Sequence, residues 1–340
     1  MKKRFLAALM CGAMALSLTA CGSGGDQPGA DDTNPPAEGQ TTGGKAFTVG
    51  VCQLAPHPAL DAATEGFKTK LTELIEADGN TVDIKVDNAA GDQPTCTTIV
   101  NGFVSSKVDL ILANATAPLQ AAASATADIP ILGTSISHYG TALDDPEMGD
   151  STGRNISGTS DLAPLDKQAD MIKEWFPDAK NVGLIYCSSE ANSIYQISVI
   201  KPALEALGYT CTEFSFADSN DLAAVATKAC QASDVLYVPT DNAVADNTGI
   251  IANVALPEKV PVVAGEEGIC AGCGVATLSI SYKELGETTA QMAYDILVGG
   301  EDISSMDIKF APNVVKKYNK DICDQLGLTP PEGYEAIEAA

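Results

Sequence analysis

The chain has 340 residues, 45% of them hydrophobic and 19% charged, a globular balance with length enough for two domains. Twenty basic against 45 acidic side chains leave a formal charge of −25, which repels phosphate backbones and excludes nucleic acid as a partner. Arginine is limited to Arg4 and Arg154 and histidine to His57 and His138, so arginine clamps and multi-histidine metal sites are excluded and neither a metal nor a cofactor is expected.

In chain order, Lys2, Lys3 and Arg4 precede an apolar stretch, Phe5–Leu18, too short for a membrane-spanning helix. It ends in Leu18-Thr19-Ala20-Cys21, which resembles a bacterial lipobox. The resemblance implies a lipoprotein signal peptide over 1–20, cleavage before Cys21 and acylation of that cysteine. The protein is then expected outside the cytoplasm, anchored to the bacterial cell membrane through Cys21. Acyl chains hold a protein at a bilayer by about 0.8 kcal/mol per buried CH₂. Residues 21–45 are Gly-, Pro-, Asp- and Thr-rich and read as a flexible linker, since they carry too little apolar surface to offset ordering.

From Phe47 short apolar runs alternate with amphipathic ones. Phe47–Gln53 reads as a buried strand. Pro58–Ala77 carries Leu60, Ala63, Phe67, Leu71 and Leu74 at helical spacing. Thr81–Asn88 alternates as a strand does. A helix at Pro94–Ser105, a strand at Val108–Ala113, a helix at Pro118–Thr126 and a strand at Ile129–Leu132 follow. Residues 139–158 are rich in Gly, Asp, Thr and Pro and read as a break. The alternation resumes with a helix over Leu165–Phe176, a strand over Asn181–Tyr186, a helix over Asn192–Leu207 and a strand over Tyr209–Phe214. Leu222–Cys230 and Ala243–Val254 read as helices, Val235–Val238, Val260–Val263 and Gly274–Ile280 as strands, and Leu285–Val298 as a further helix. Val314–Leu328 adds one strand and a short helix. This is an α/β fold: two Rossmann-like units, each a parallel sheet with helices on both faces.

Ligands of open parallel sheets bind beyond the carboxyl ends of the strands. Gln53, Asn114-Ala115-Thr116 and Gly133-Thr134-Ser135 follow strands of the first unit; Cys187-Ser188-Ser189-Glu190, Pro239-Thr240-Asp241-Asn242 and Gly265-Glu266-Glu267 follow strands of the second. Helix starts after Thr116, Ser189 and Asp241 offer free N–H groups to an anion such as an α-carboxylate. Thr116, Ser135 and Ser189 supply hydroxyls, and Asp241 or Glu266 an acceptor for an α-ammonium group. Ser189 and Asp241 equally suit helix capping, worth about 1 kcal/mol each without a ligand, and the sequence leaves both roles open. His57, before Pro58, suits a cap or a ligand contact. Trp175, beside Phe176 and Pro177, reads as core. Eight cysteines lie beyond Cys21, an even number that an oxidising compartment can pair. Cys270-Ala-Gly-Cys273 reads as a tight hairpin with a local bridge or free thiols.

HPALD (57–61), GDQ (91–93), SDLAP (160–164), SSEANS (188–193), PTDN (239–242) and YKELG (282–286) together resemble the tryptophan/aromatic amino-acid substrate-binding lipoproteins of ABC importers. That family has the type I periplasmic-binding-protein fold, two lobes joined by crossing hinge strands. The resemblance implies an N-terminal lobe of 46–159 plus about 282–310 and a C-terminal lobe of 160–281 plus about 311–340. It implies a non-enzymatic, monomeric protein that closes on a small ligand, an aromatic or large hydrophobic amino acid, and delivers it to ABC permease subunits. The expected binding residues are Gln53, His57, Thr116, Ser135, Ser160, Ser189, Glu190, Asn192, Thr240, Asp241, Asn242 and Glu266. A nucleoside, purine or sugar ligand on the same scaffold, or a surface enzyme, are the alternatives.

Overall fold

A computed structural model describes residues 44–311 and 313–337. The leader, Cys21 and the linker up to residue 43 lie outside the described residues. The chain begins with β1 (Ala46–Gln53), α1 (Pro58–Ala77), β2 (Thr81–Asn88), α2 (Gln93–Ser106), β3 (Leu110–Asn114), α3 (Thr116–Ala125), β4 (Ile131–Ile136), α4 (Tyr139–Ala142) and β5 (Ile156–Ser160). It continues through α5 (Leu165–Trp175), β6 (Asn181–Cys187), α6 (Ala191–Ala206), β7 (Thr210–Phe216), α7 (Leu222–Ala232), β8 (Val235–Val238), α8 (Asn242–Ala245), α9 (Thr248–Glu258), β9 (Val262–Ala264), α10 (Glu267–Cys273) and β10 (Ala276–Ser279). Then come α11 (Tyr282–Leu297), β11 (Lys309–Phe310), β12 (Val315–Tyr318), α12 (Lys320–Leu326) and β13 (Glu335–Ala336).

Two sheets result. The first has the order β11-β5-β4-β3-β1-β2 and the second β13-β12-β10-β9-β8-β6-β7. Pairing is parallel in both, apart from the antiparallel β10–β12 ladder. Position in the sheet explains the sequence pattern. Central β3 and β4 are buried on every residue and read as continuous apolar or small runs, because helices cover both faces. Edge strand β2 alternates partly buried Val82 and Ile84 with exposed residues.

Helix α1 opens with Pro58, whose missing N–H costs nothing in the first turn, and buries Leu60, Ala63, Phe67, Leu71 and Ile75 along one stripe. Its partner is α11, which lies far along the chain. A Cβ on Gly286 would come within 2.0 Å of the Ala63 carbonyl, so glycine lets the two helix backbones touch. Ala290, Met292 and Ala293 of α11 share a core with Val49, Phe67 and Leu71. The chain therefore passes between the sheets three times: after β5, after β10 and between β11 and β12. The parts built on the first and second sheets are termed lobe one and lobe two below. No helix of the described residues is long and apolar enough to cross a membrane.

Four local expectations change. The break at 139–158 contains α4 and the start of β5, whose sequence Ile-Ser-Gly-Thr-Ser hides a fully buried strand. Gly158 has φ +142°, and a Cβ there would meet the Gly133 carbonyl at 2.0 Å. Strand β4 runs on to Ile136, so Ser135 lies at an irregularity within the strand rather than in a turn after it. The helix expected over 243–254 is two, α8 and α9, separated by Asp246 and Asn247. Cys270 and Cys273 sit on α10, not in a hairpin, because Glu266 accepts from Gly268 N and Ile269 N and caps that helix. No disulfide joins the eight cysteines of the described residues in this structure.

Candidate functional site

A cavity of about 300 Å³ lies between the lobes, at the lower end of the range for small-molecule pockets. Leu54, Thr116 and Gln93 line it from lobe one; Ser189, Asn192 and Asn242 from lobe two. Contacts close the lobes around it. Gln93 Nε2 donates to the Ser189 carbonyl at 3.0 Å. His57 Nε2 meets Asn242 Oδ1 at 3.2 Å. On another side the His138 ring stacks on Tyr195, centroids 4.0 Å apart and ring planes nearly parallel, and Gln196 Nε2 reaches Ser137 Oγ at 3.4 Å.

The helix starts divide into open and occupied ones. Helix α3 begins at Thr116 behind Ala115, which has φ +99° and makes no side-chain cap. Strained backbone of this kind collects at functional sites. Helix α6 begins behind Glu190, whose side chain also leaves that helix uncapped. Both first turns border the cavity. The start of α8 is different. Glu190 accepts there from Asn242 N at 3.1 Å, Asn242 Nδ2 at 2.7 Å and Ala243 N at 2.8 Å. Asp241 caps the same helix through Val244 N at 2.9 Å and reaches back to Cys187 N at 2.7 Å. The anion site of α8 is thus filled by the protein's own carboxylates.

The remaining expected residues sort by the same bookkeeping of partners. Asn192 Nδ2 donates to Glu190 and to the Thr240 carbonyl, while Thr240 N donates to Gln196 Oε1. These groups, with His57, Asp241 and Asn242, form one network beside the cavity. Ser189 Oγ lies 3.0 Å from Cys187 Sγ and 3.3 Å from the Ala217 carbonyl. Gln53 is spent inside lobe one: Thr64 donates to its oxygen at 2.6 Å, and its amide reaches Ala55 O and Asp61. Ser160 donates to the Ser137 carbonyl at 3.1 Å. Glu266 is committed to its helix cap on the hinge side. There a larger recess of about 690 Å³ opens between α1 and α10; the unpartnered buried atoms described next line neither this recess nor the 300 Å³ cavity.

Four buried side-chain atoms of the cleft region lack a partner: His57 Nδ1, Asn114 Oδ1, Ser135 Oγ and Asp161 Oδ1. Asn114, Ser135 and Asp161 follow one another along the carboxyl edges of β3, β4 and β5, neighbours in the sheet, and His57 stands after β1. Ser135 has φ +57°, a second strained residue on this edge. Asp161 is 4% exposed; Tyr282 at the start of α11 donates to its Oδ2 at 3.0 Å, and the Ser137 hydroxyl lies beside it. Burial pushes the Asp161 carboxyl above the usual carboxylate range, outweighing those hydrogen bonds. Burial likewise holds the His57 imidazole below its ordinary value, against the opposing pull of Asn242 and Glu190. Asp241 is pushed up to about 7 by burial and then by Glu190. Sequence reasoning missed Asp161, although it is the second residue of SDLAP, because the motif gives no sign of which polar group is left unpaired.

The sequence was compared with known proteins. The family described as ABC transporter substrate binding protein matches over residues 48–337. A tyrosine-binding protein of Clostridioides difficile (strain R20291) is 35% identical over 303 residues, covering 87% of this chain and 85% of the relative. The structure of an ABC domain in complex with L-Trp from Streptococcus pneumonia superposes with a TM-score of 0.79 at 29% identity, covering 85% of this chain and 100% of that one. The ligand-free, open structure of a substrate-binding protein with adhesive properties from Clostridium difficile is 35% identical but superposes less well, at 0.65, over 86% of this chain and 100% of that one. Two lobes with parallel-dominated sheets, a polar cleft between them and a family match across nearly the whole folded body lead to one conclusion: the chain belongs to the ABC transporter substrate-binding proteins, with a periplasmic-binding-protein fold.

Proposed function

We propose that this protein captures a free aromatic amino acid outside the cytoplasm by closing its two lobes, and presents it to the permease of an ABC importer. The observation that carries the ligand class is the set of buried, unpartnered atoms on lobe one. Asn114 Oδ1 and Asp161 Oδ1 are acceptors. His57 Nδ1 is an acceptor too, because Nε2 donates to Asn242 Oδ1 when Asn242 Nδ2 serves Glu190. Leaving such groups unpaired costs about 1–3 kcal/mol each. The set wants donors, and an α-ammonium group brings three with a positive charge for Asp161. Ser135 Oγ and the open N–H groups of α3 and α6 suit the α-carboxylate, which makes arginine unnecessary. Because α3 belongs to lobe one and α6 to lobe two, one carboxylate between them favours closure.

The ligands named for the tyrosine-binding relative and the L-Trp complex support the aromatic choice. The better superposition on the ligand complex than on the open, ligand-free protein of higher identity supports a closed arrangement of the lobes. Within this reading Cys21 carries the lipid anchor, residues 21–45 form the tether, and the protein acts as a monomer that alters no bond in its cargo. The testing experiment is a thermal-shift panel of tyrosine, tryptophan, phenylalanine, leucine, adenosine and galactose. A ligand specific for the native state adds about 2.7 kcal/mol of stability at a hundred times its Kd. Shifts with the aromatic amino acids are expected; shifts confined to adenosine or galactose overturn the reading.

A further inference from the structure

Two of the eight cysteines face each other at the base of the cleft rim. Cys52 on β1 and Cys96 on α2 are both fully buried in the core of lobe one. The packing of strand and helix brings them together. A Cβ on Gly50 would come within 2.5 Å of the Phe103 ring, so α2 lies directly on that face of β1. Cys52 is two residues from Gly50, on the same face of the strand. Cys96 is seven residues from Phe103, two turns back on the same face of the helix. Each thiol is thereby the other's neighbour in this core, and each is the group that most perturbs the other's titration. Other thiols have backbone or hydroxyl neighbours: Cys273 Sγ donates to the Ile269 carbonyl, Cys323 Sγ to the Val275 carbonyl, and Cys187 Sγ lies against Ser189 Oγ.

We propose that Cys52 and Cys96 are joined by a disulfide in the exported protein. Substrate-binding proteins of ABC transporters work outside the cytoplasm, where such bonds persist. The oxidant is the disulfide of an extracytoplasmic thiol–disulfide oxidoreductase, acting as the chain folds and before the thiols are buried. One cysteine thiolate attacks the carrier disulfide and forms a mixed disulfide; the second displaces the carrier. The two cysteines lose two electrons and two protons, and the carrier leaves as a dithiol. The bond fastens the start of α2 to the end of β1. The segment between them that rims the cleft, Ala90–Gln93, lines the cavity, and Gln93 holds Ser189 across the lobes.

The test uses full-length protein exported with its own leader and collected without reductant, then denatured, alkylated with iodoacetamide and digested. The expected result is a single species holding the Cys52 and Cys96 peptides, two hydrogens lighter than the pair, which dithiothreitol splits. Recovery of both as alkylated peptides, or of either joined to a different cysteine, overturns the proposal. Cys52→Ser, Cys96→Ser and the double variant are expected to share one loss of Tm, on the order of 5–10 °C, since a single cross-link is removed each time. Peptide mapping of the wild-type chain decides the matter even where a variant misfolds. The effect on the cleft rests on the proposed function: dithiothreitol-reduced protein is expected to release tyrosine at least about threefold faster. An unchanged release rate with the cross-link mapped overturns its role at the rim alone, whereas failure to bind any amino acid counts against the proposed function and leaves the peptide map untouched.

Discussion

His57 and Asn242, 185 residues apart in the chain, join the two lobes by a single contact of 3.2 Å between imidazole Nε2 and amide oxygen. The amide is held for this task by Glu190, which accepts from its nitrogen at 2.7 Å. Because it spans the lobes, opening them as the proposed function requires would break this link, so it is expected to stabilise the closed state alone. A neutral hydrogen bond contributes about 0.5–1.5 kcal/mol. His57→Ala is expected to weaken amino-acid binding by about two- to tenfold, chiefly through faster release, as read by stopped-flow fluorescence.

Asp161 carries the largest expected effect on binding. Asp161→Asn keeps the shape and removes the charge offered to the ammonium group. Charge-assisted hydrogen bonds are worth about 1.5–3 kcal/mol, so calorimetry should find affinity lower by about ten- to a hundredfold. The ligand-free Tm should not fall, because burial already disfavours this carboxylate in its ionised form. Tyr282→Phe removes the donor to Asp161 Oδ2 and should weaken binding more modestly, by about two- to tenfold.

Asp241 is expected to behave in the opposite way. Its two oxygens accept from Cys187 N and Val244 N in a fully buried setting. Asparagine offers one oxygen and turns an NH₂ toward a backbone N–H. Capping ability alone suggests that Asn is a neutral replacement; the second hydrogen bond removes that equivalence. Asp241→Asn should therefore cost about 1–3 kcal/mol in urea unfolding of the ligand-free protein.

The buried acids also fix the direction of a pH dependence. Asp241 and Glu266 are each pushed up to about 7, mainly by burial, and Asp161 is raised as well. The unfolded chain releases these protons near pH 4. At these three sites the native state holds more protons than the unfolded state between about pH 4 and pH 7, so stability falls as pH rises through this window; His57 and His138, both held low by burial, oppose the three acids in part. Carboxyls held low, such as Glu213 by Lys201 and Asp234 by the Asn181 and Lys180 N–H groups, act below it. Scanning calorimetry of ligand-free protein should give a lower Tm at pH 8 than at pH 5.5. Ammonium binding needs ionised Asp161, so amino-acid affinity should instead increase with pH, with a proton released on binding that shows in buffers of different ionisation enthalpy.

Periodicity made most of this architecture readable. Val49, Val51, Leu110 and Leu112 mark strands because parallel sheets bury both faces, and the Leu60–Ile75 stripe marks a helix because only one face packs. Strand β5 escaped because its burial is achieved by Ser157, Thr159 and Ser160, whose hydroxyls bond inside the lobe. Helix α10 escaped because its signal is a glutamate cap on a seven-residue turn rich in Gly and Cys. The site was readable as positions and not as roles. Residues at strand ends were foreseeable from topology, but whether Glu190 feeds a helix start or a ligand depends on distances between segments some 50 residues apart.

The seating of α11 on α1 has a consequence for biogenesis. The core of lobe one takes Ala290, Met292, Ala293 and Ile303 from a stretch synthesised after nearly the whole of lobe two. The amino-terminal half, synthesised first, thus presents the apolar stripe of Phe67, Leu71 and Ile75 with its cover still untranslated. Lobe one cannot reach its native packing vectorially; its core stays incomplete until residue 303 has been made. A chain truncated after β5 should therefore aggregate or be degraded, because the apolar stripe of α1 would never receive its cover.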